Sequence, residues 1–180
     1  MLAVMTAQAR ADVLEVKDLD GFETCLQLDE LLVTVKTATG SQTRLLGNPE
    51  IQPRCIASAV QLLAGTKDQH TVLSFVDAVK RLSAPGNALE LVDLVVRRSP
   101  ASCNDTEVYD VLTSALERPD ELAGNAIVRA RPVVARCLKD KAFRKDFLEE
   151  IGSSNRHLAA HACDILRQEK LVTSCKGSKP

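Results

Sequence analysis

The sequence predicts an all-α protein, and three observations predict it. From residue 47 onward, apolar residues recur at spacings of three and four, the period of one helix face. Helix start and stop signals bracket nearly every such stripe. The composition is aliphatic: Leu, Ala and Val number 24, 21 and 18 among 180 residues, while four Phe and one Tyr, with no Trp, make an aromatic content of 3%. Such a core suits closely packed helices, with Ala where backbones approach. The scarcity of aromatics counts against functions that rest on aromatic platforms, including base-stacking sheets, aromatic cages and membrane-interface belts.

The elements follow in chain order. Residues 1–11 carry no clear core pattern. Between 12 and 46 two readings compete. In the first, Phe22, Leu26, Leu32 and Val35 approximate one helix face behind a cap at Asp18 or Asp20, which predicts a helix to about Val35. In the second, the β-branched Val33, Thr34, Val35, Thr37, Thr39 and Thr43 around Gly40-Ser41 make residues 31–46 a hairpin. The helix is the favoured reading. Asn48-Pro49-Glu50 then opens a helix bearing Ile51, Cys55, Ile56, Ala59, Val60 and Leu63 and stopping at Gly65. Val72, Phe75, Val76, Val79 and Leu82 mark the next, closed by Ser83-Ala84-Pro85-Gly86.

Asn87 with Glu90 has the spacing of a capping box ahead of Leu91, Val92, Leu94, Val95 and Val96, a helix apolar enough to be central. Asn104 with Glu107 repeats the device before Val108, Val111, Leu112, Ala115 and Leu116. Pro119-Asp120-Glu121 opens a segment through Ile127 and Ala130, which Pro132 breaks or restarts before Val133, Val134, Cys137 and Leu138. Asp140 caps a helix carrying Phe143, Phe147, Leu148 and Ile151 and ending at Gly152. Ser153 or Ser154 opens the last, with Leu158, Ala159, Ala162, Ile165, Leu166 and Leu171. The expectation is a single helical domain over 12–172 with flexible termini at 1–11 and 173–180. The predicted core comprises Ile56, Val60, Leu63, Phe75, Val79, Leu82, Leu91, Val95, Val111, Leu112, Ile127, Phe143, Phe147, Leu158, Ala162 and Ile165.

Short breaks between these helices force neighbours to lie antiparallel or at a steep turn. An irregular stack of antiparallel helices, an αα superhelix, satisfies that, and so does a closed multi-helix bundle; the even supply of amphipathic helices favours the stack. Residues 143–168, FRKDFLEEIGSSNRHLAAHACDILRQ, resemble the end of an armadillo or HEAT-type unit, with a helix closing at a Gly-Ser loop before a longer helix of mixed Ala and Leu or Ile. Residues 87–97 align loosely with 154–167, both ending in Asp, aliphatic residues and Arg. The resemblance implies a scaffold that presents a concave surface to peptides or protein helices.

Formal charge is -1, from 23 Lys and Arg against 24 Asp and Glu, so no polyanion partner follows from the total. The charge is unevenly spread, and residues 129–145 hold Arg129, Arg131, Arg136, Lys139, Lys141, Arg144 and Lys145 against Asp140 alone. Six cysteines at 25, 55, 103, 137, 163 and 175 include no CxxC spacing. The even number leaves a disulfide framework open, but a chain this long with ample Leu and Val does not need one, and the apolar surroundings of Cys25, Cys55 and Cys163 predict buried thiols acting as small hydrophobes. No signal-peptide pattern or membrane-spanning run is read from the sequence, and the expectation is an intracellular protein of the cytoplasm or nucleus.

No constellation carries a clear chemistry. His157 and His161 share a face at i, i+4, but without the Glu that makes a zincin helix, and read as structural or surface residues. Acids at 105, 107, 110, 120 and 121 sit at helix starts, where the dipole explains them. Isolated glycines give no phosphate-binding loop. The expectation is therefore no catalytic, cofactor or metal-binding residues, and a non-enzymatic scaffold or adaptor. Arg129, Arg136, Lys139, Lys141, Arg144, Arg156 and His157 would give charged hydrogen bonds to an acidic or phosphorylated segment of a protein partner. The competing reading of these cations is a solvated face paired with Glu149, Glu150 and the acidic N-terminal region. A self-associating structural module, a homodimer, is the alternative function. Nucleic-acid backbone binding ranks below both, and a membrane partner is not expected.

Overall fold

A computed structural model describes residues 16–27, 31–37, 40–46, 51–82, 85–117, 119 and 126–175. They belong to two compact units, Met1–Ser83 and Ala84–Pro180. The fold is multi-helix and α-helical, as expected, apart from one hairpin in the first unit.

In the first unit, α1 (Leu19–Gln27) starts where the Asp18 carboxylate accepts the Gly21 N–H at 2.7 Å. It does not continue to Val35. Residues Leu31–Thr37 (β1) and Gly40–Leu46 (β2) pair antiparallel, from Leu31 opposite Leu46 to Thr37 opposite Gly40. The run of β-branched residues decides between the two readings, because such side chains lose rotamer freedom on a helix and fit a pleated strand. The expected cap at 48–50 lies outside the described residues, as do 1–11. Helix α2 (Ile51–Leu63) ends just before the Ala64-Gly65 turn. Helix α3 (Gln69–Leu82) follows Asp68, whose carboxylate accepts the His70 N–H and the Thr71 hydroxyl.

Helix α1 packs on both α2 and α3. Phe22 and Phe75 stack across the α1–α3 contact with ring centroids 4.9 Å apart, and both are buried with Leu26, Ile56, Leu63, Val72, Val76 and Val79. A buried Cys25–Cys55 disulfide ties α1 to α2. Val60 and Leu82, expected in the core, are partly exposed; the other fourteen predicted core residues are buried in their own units.

The second unit holds α4 (Leu89–Arg98), α5 (Thr106–Leu116), α6 (Ala126–Cys137), α7 (Lys141–Glu149) and α8 (Arg156–Gln168). Neither asparagine of the predicted capping boxes is the N-cap residue. Short 3-10 turns at Pro85–Ala88 and Pro100–Asn104 take up Asn87 and Asn104, so α4 and α5 begin behind Ala88 and Asp105 with no side-chain cap. Asp140 does cap α7, accepting the N–H groups of Ala142 and Phe143 at 2.8 and 3.2 Å. Asn155, rather than Ser153 or Ser154, caps α8 through the N–H groups of His157 and Leu158. Pro132 does not break its segment; it lies on the exposed side of one continuous α6. The expected helix start at Asp120 and Glu121 lies outside the described residues.

The central helix of this unit is α5, which touches α4, α6 and α8. It buries Val108, Val111, Leu112, Ala115 and Leu116, whereas α4 leaves Glu90, Arg97 and Arg98 exposed. Phe143 and Phe147 stack at 5.6 Å and are at most 1% exposed. Helix α8 ends in a reversed turn: the Leu171 N–H reaches the Leu166 carbonyl at 2.9 Å, the Lys170 N–H reaches Arg167, and Lys170 itself has φ 59°. This is the hydrogen-bond pattern that normally selects Gly at the left-handed position.

The cysteines correct the expected compartment. All six are bonded, as Cys25–Cys55, Cys103–Cys137 and Cys163–Cys175, with Cα separations of 5.9, 5.3 and 6.0 Å. They are half-cystines rather than small hydrophobes. Three intramolecular disulfides point to an oxidising extracellular or secretory environment and overturn the cytoplasmic or nuclear expectation, because cytosolic thiol pools keep such pairs reduced. In the loop-closure picture each bond removes about 3–4 kcal/mol of unfolded-chain entropy.

Two outcomes follow. Protein denatured without reductant takes up no maleimide, and after reduction it takes up one label per cysteine, as mass spectrometry will show. Lys170→Gly relieves the left-handed backbone and raises stability in urea unfolding by about 1 kcal/mol.

Candidate functional site

The second unit has two concave surfaces, and the basic run meets one of them. Residues advance 100° per position on a helix, so Arg129 and Arg136 share one side of α6 while Arg131 faces the other. The pairing obeys this geometry. Arg129 reaches Glu90 and Arg136 reaches Asp93, both on α4 and both at 2.7 Å, whereas Arg131 reaches Asp164 on α8 at 2.7 Å. Asp93 also pairs with Arg97, one turn along α4. Most of these groups are well exposed, so each pair contributes at most about 1 kcal/mol. Each contact engages one guanidinium nitrogen and leaves the other N–H groups over.

Between α4 and α6 lies a groove of about 640 Å³ lined by Leu89, Glu90, Asp93, Arg97, Val128, Arg129, Pro132 and Arg136. Val128 is 68% exposed, the most exposed large apolar side chain among the described residues. Pro132 stands one turn further along. Having no N–H, Pro132 gives no helical hydrogen bond to the Val128 carbonyl four residues back. The groove thus combines an apolar projection, three arginines and two carboxylates.

Of the seven candidate residues, only Arg129 and Arg136 line this groove. Lys139 is exposed in the turn after α6; Lys141 and Arg144 lie on α7, exposed and half-buried respectively. Arg156 is exposed at the start of α8, and its Nε donates to Nε2 of the half-buried His157 at 3.4 Å. The basic run is therefore divided: its arginines at 129, 131 and 136 cross-link helices, while Lys139, Lys141 and Lys145 have no ion pair with another described residue. The expected pairing of this run with Glu149 and Glu150 is not formed among the described residues, because the acids on α4 and α8 are the ones it meets.

The second concave surface, about 400 Å³, was missed by sequence reasoning. It lies beside the Pro100–Asn104 turn, α5 and α7, floored by Phe143 and Tyr109 and edged by Asp146, Glu149 and Glu150. Tyr109, the one tyrosine of the chain, is committed here. Its hydroxyl donates to Glu150 Oε1 at 2.8 Å and its ring meets Phe143 edge-on at 5.5 Å. Partial burial, followed by the hydrogen bond to Glu150 and the nearby carboxylates, pushes its pKa well above the ordinary tyrosine value. The available signal was the i, i+3, i+4 spacing of the three acids, with only the lone Tyr to suggest what they face. At the opposite end of α7, the Asp140 carboxyl is held below its usual range by the Phe143 and Ala142 N–H groups, with a further hydrogen bond from Asn104.

Other chemistries find little to use. His161 is buried while His157 is half-buried, in keeping with their structural reading. Among the described residues, no group of three or more His, Cys, Asp or Glu side chains is placed to hold a metal ion. With every cysteine bonded, no thiol is available to pair with a histidine as nucleophile. No helix among the described residues is long and apolar enough to cross a membrane.

No protein-family description, no curated protein and no solved structure matches this chain. The multi-helix α fold is evident from the structure itself, and no specific armadillo or HEAT family is identified.

Tyr109→Phe removes the bond to Glu150 and lowers stability by about 1 kcal/mol in urea unfolding at neutral pH. Because the folded-state pKa of Tyr109 is raised, its contribution is complete below the ordinary tyrosine value near 10 and fades as pH climbs above it. Wild-type stability therefore declines more steeply above about pH 10 than that of the Phe variant.

Proposed function

We propose that this chain is a non-enzymatic binding domain of an oxidising compartment, a scaffold or adaptor that receives an acidic segment of a protein partner in the α4–α6 groove. The carrying observation is the meeting, in one groove, of exposed Val128 with Arg129 and Arg136, each already oriented by a carboxylate of α4. A guanidinium held by one carboxylate keeps N–H groups for a second, and pre-set donors cost less to order on binding. Arginine is among the residues that carry interface energy best, and this chain has few aromatics to do so. The arginines outnumber the carboxylates lining the groove by three to two, which favours an acidic over a basic segment. Lys139, Lys141, Arg144, Arg156 and His157 would steer the approach of such a partner rather than dock it.

The architecture that suits this role is the irregular armadillo- or HEAT-like stack of the sequence reading. Packing of α4 on α5, α5 on α6 and α7 on α8 is what such a stack needs, while the packing of α4 on α6 and of α8 on α5 suits a closed bundle equally.

A displayed library of random short peptides selected against the folded, oxidised protein tests the reading. The recovered pool is expected to be enriched in Asp and Glu. Val128→Asp and the pair Arg129→Gln/Arg136→Gln are expected to weaken the recovered peptides about tenfold or more with unchanged helical circular dichroism. A pool without acidic enrichment, or unchanged affinity in folded variants, overturns it.

A further inference from the structure

We propose that the Cys163–Cys175 disulfide is a thiol-exchange site, opened by a low-molecular-weight thiol while the other two disulfides stay closed, and that its opening releases the segment following α8. The three bonds differ in access. Cys25, Cys55 and Cys137 are fully buried and Cys103 is 1% exposed, even though Cys103 borders the cleft beside α7. Cys163 and Cys175 are both partly exposed. Exchange requires a thiolate to approach a sulfur of the bond, so the two buried disulfides react only after their units open, whereas both residues of this one are partly exposed in the folded state.

The segment closed by the bond has little else to hold it. Glu169, Lys170, Leu171, Thr173 and Ser174 are exposed, and Val172 is only partly covered. Its hydrogen bonds to the end of α8 come from Glu169, Lys170 and Leu171, and the backbone there passes through the left-handed conformation of Lys170. That conformation costs about 1 kcal/mol for a residue with a Cβ. Charge around the bond is mixed: Arg167 lies one turn from Cys163 and Lys170 follows it beside Glu169, while Asp164 pairs with Arg131.

The chemistry balances with two equivalents of thiol. The first thiolate forms a bond to one sulfur of the pair, the Sγ–Sγ bond breaks, and the other cysteine leaves as thiolate. A second thiolate attacks the reagent sulfur of this mixed disulfide, frees the remaining cysteine and departs as the oxidised dimer of the reagent. Two electrons pass from the reagent to the protein, and the two new cysteine thiolates take up the protons that the reagent thiols gave up.

Folded, oxidised protein incubated with reduced glutathione, without denaturant, tests the proposal. Free thiols are trapped with N-ethylmaleimide and located by peptide mass spectrometry, while circular dichroism follows the fold. Cys163 and Cys175 are expected to label about tenfold or more faster than the other four cysteines, with helicity retained. Trypsin cleavage after Arg167 and Lys170 is expected to accelerate about tenfold on opening. In Cys163→Ser/Cys175→Ser, which leaves the two buried bonds intact, the same treatment is expected to give a folded protein with no label. Equal labelling of all six cysteines, labelling only as helicity is lost, or an unchanged trypsin rate after opening would each overturn it.

Discussion

In the second unit, the element on which most of the rest depends is a turn. The Pro100–Asn104 segment touches α4, α5, α6 and α7, and the Cys103–Cys137 bond fixes it to the last residue of α6. Ser102 and Cys103 are buried inside that contact. From the next position Asn104 gives a hydrogen bond to Asp140, the residue that caps α7. The covalent tie sits where α6 stops, and four residues later α7 begins. A five-residue segment does here what a large aromatic core residue does in proteins richer in Trp and Phe.

That division of labour follows from composition. A core of Leu, Val and Ala makes contacts that are individually small, and only three of the four phenylalanines are fully buried large anchors, with Phe75 close behind at 2% exposure. They are used sparingly: Phe22 with Phe75 in one unit, Phe143 with Phe147 and the edge of Tyr109 in the other. The remaining orientation comes from covalent and ionic ties. The arginines of α6 alternate sides, two toward α4 and one toward α8, so the helix is guyed from both flanks. The groove beside α4 is a by-product of this arrangement, since the same arginines that brace α6 form its wall.

How much of this could be read in the sequence depended on how local the cause was. The apolar stripes of α2 through α8 could be read, because burial of Phe75, Val111, Phe147 or Ile165 follows from a period within one helix. So could the caps at Asp18 and Asp140, where the carboxylate meets N–H groups two or three residues on. Asn87 and Asn104 had the same spacing but are not N-cap residues, since each falls inside a 3-10 turn. Leu31–Thr37 satisfied both a helical and a strand pattern, and pairing with residues 40–46 decided it. The partners of Arg129 and Arg136 lie 39 and 43 positions away, beyond any local rule. The disulfides were missed for a related reason: an apolar setting looks the same around a buried thiol and a buried half-cystine.

The order of the three disulfides carries a consequence for biosynthesis. Each joins a cysteine to the next one along the chain, and none encloses or crosses another. Of the many pairings six cysteines allow, this is the one available to a chain emerging from the ribosome end first. Every cysteine finds its partner as soon as the second of the pair appears, before a competing thiol has been made. Oxidation in that order needs no bond to be undone, so the protein can reach its native pairing without the slow reshuffling that isomerases catalyse.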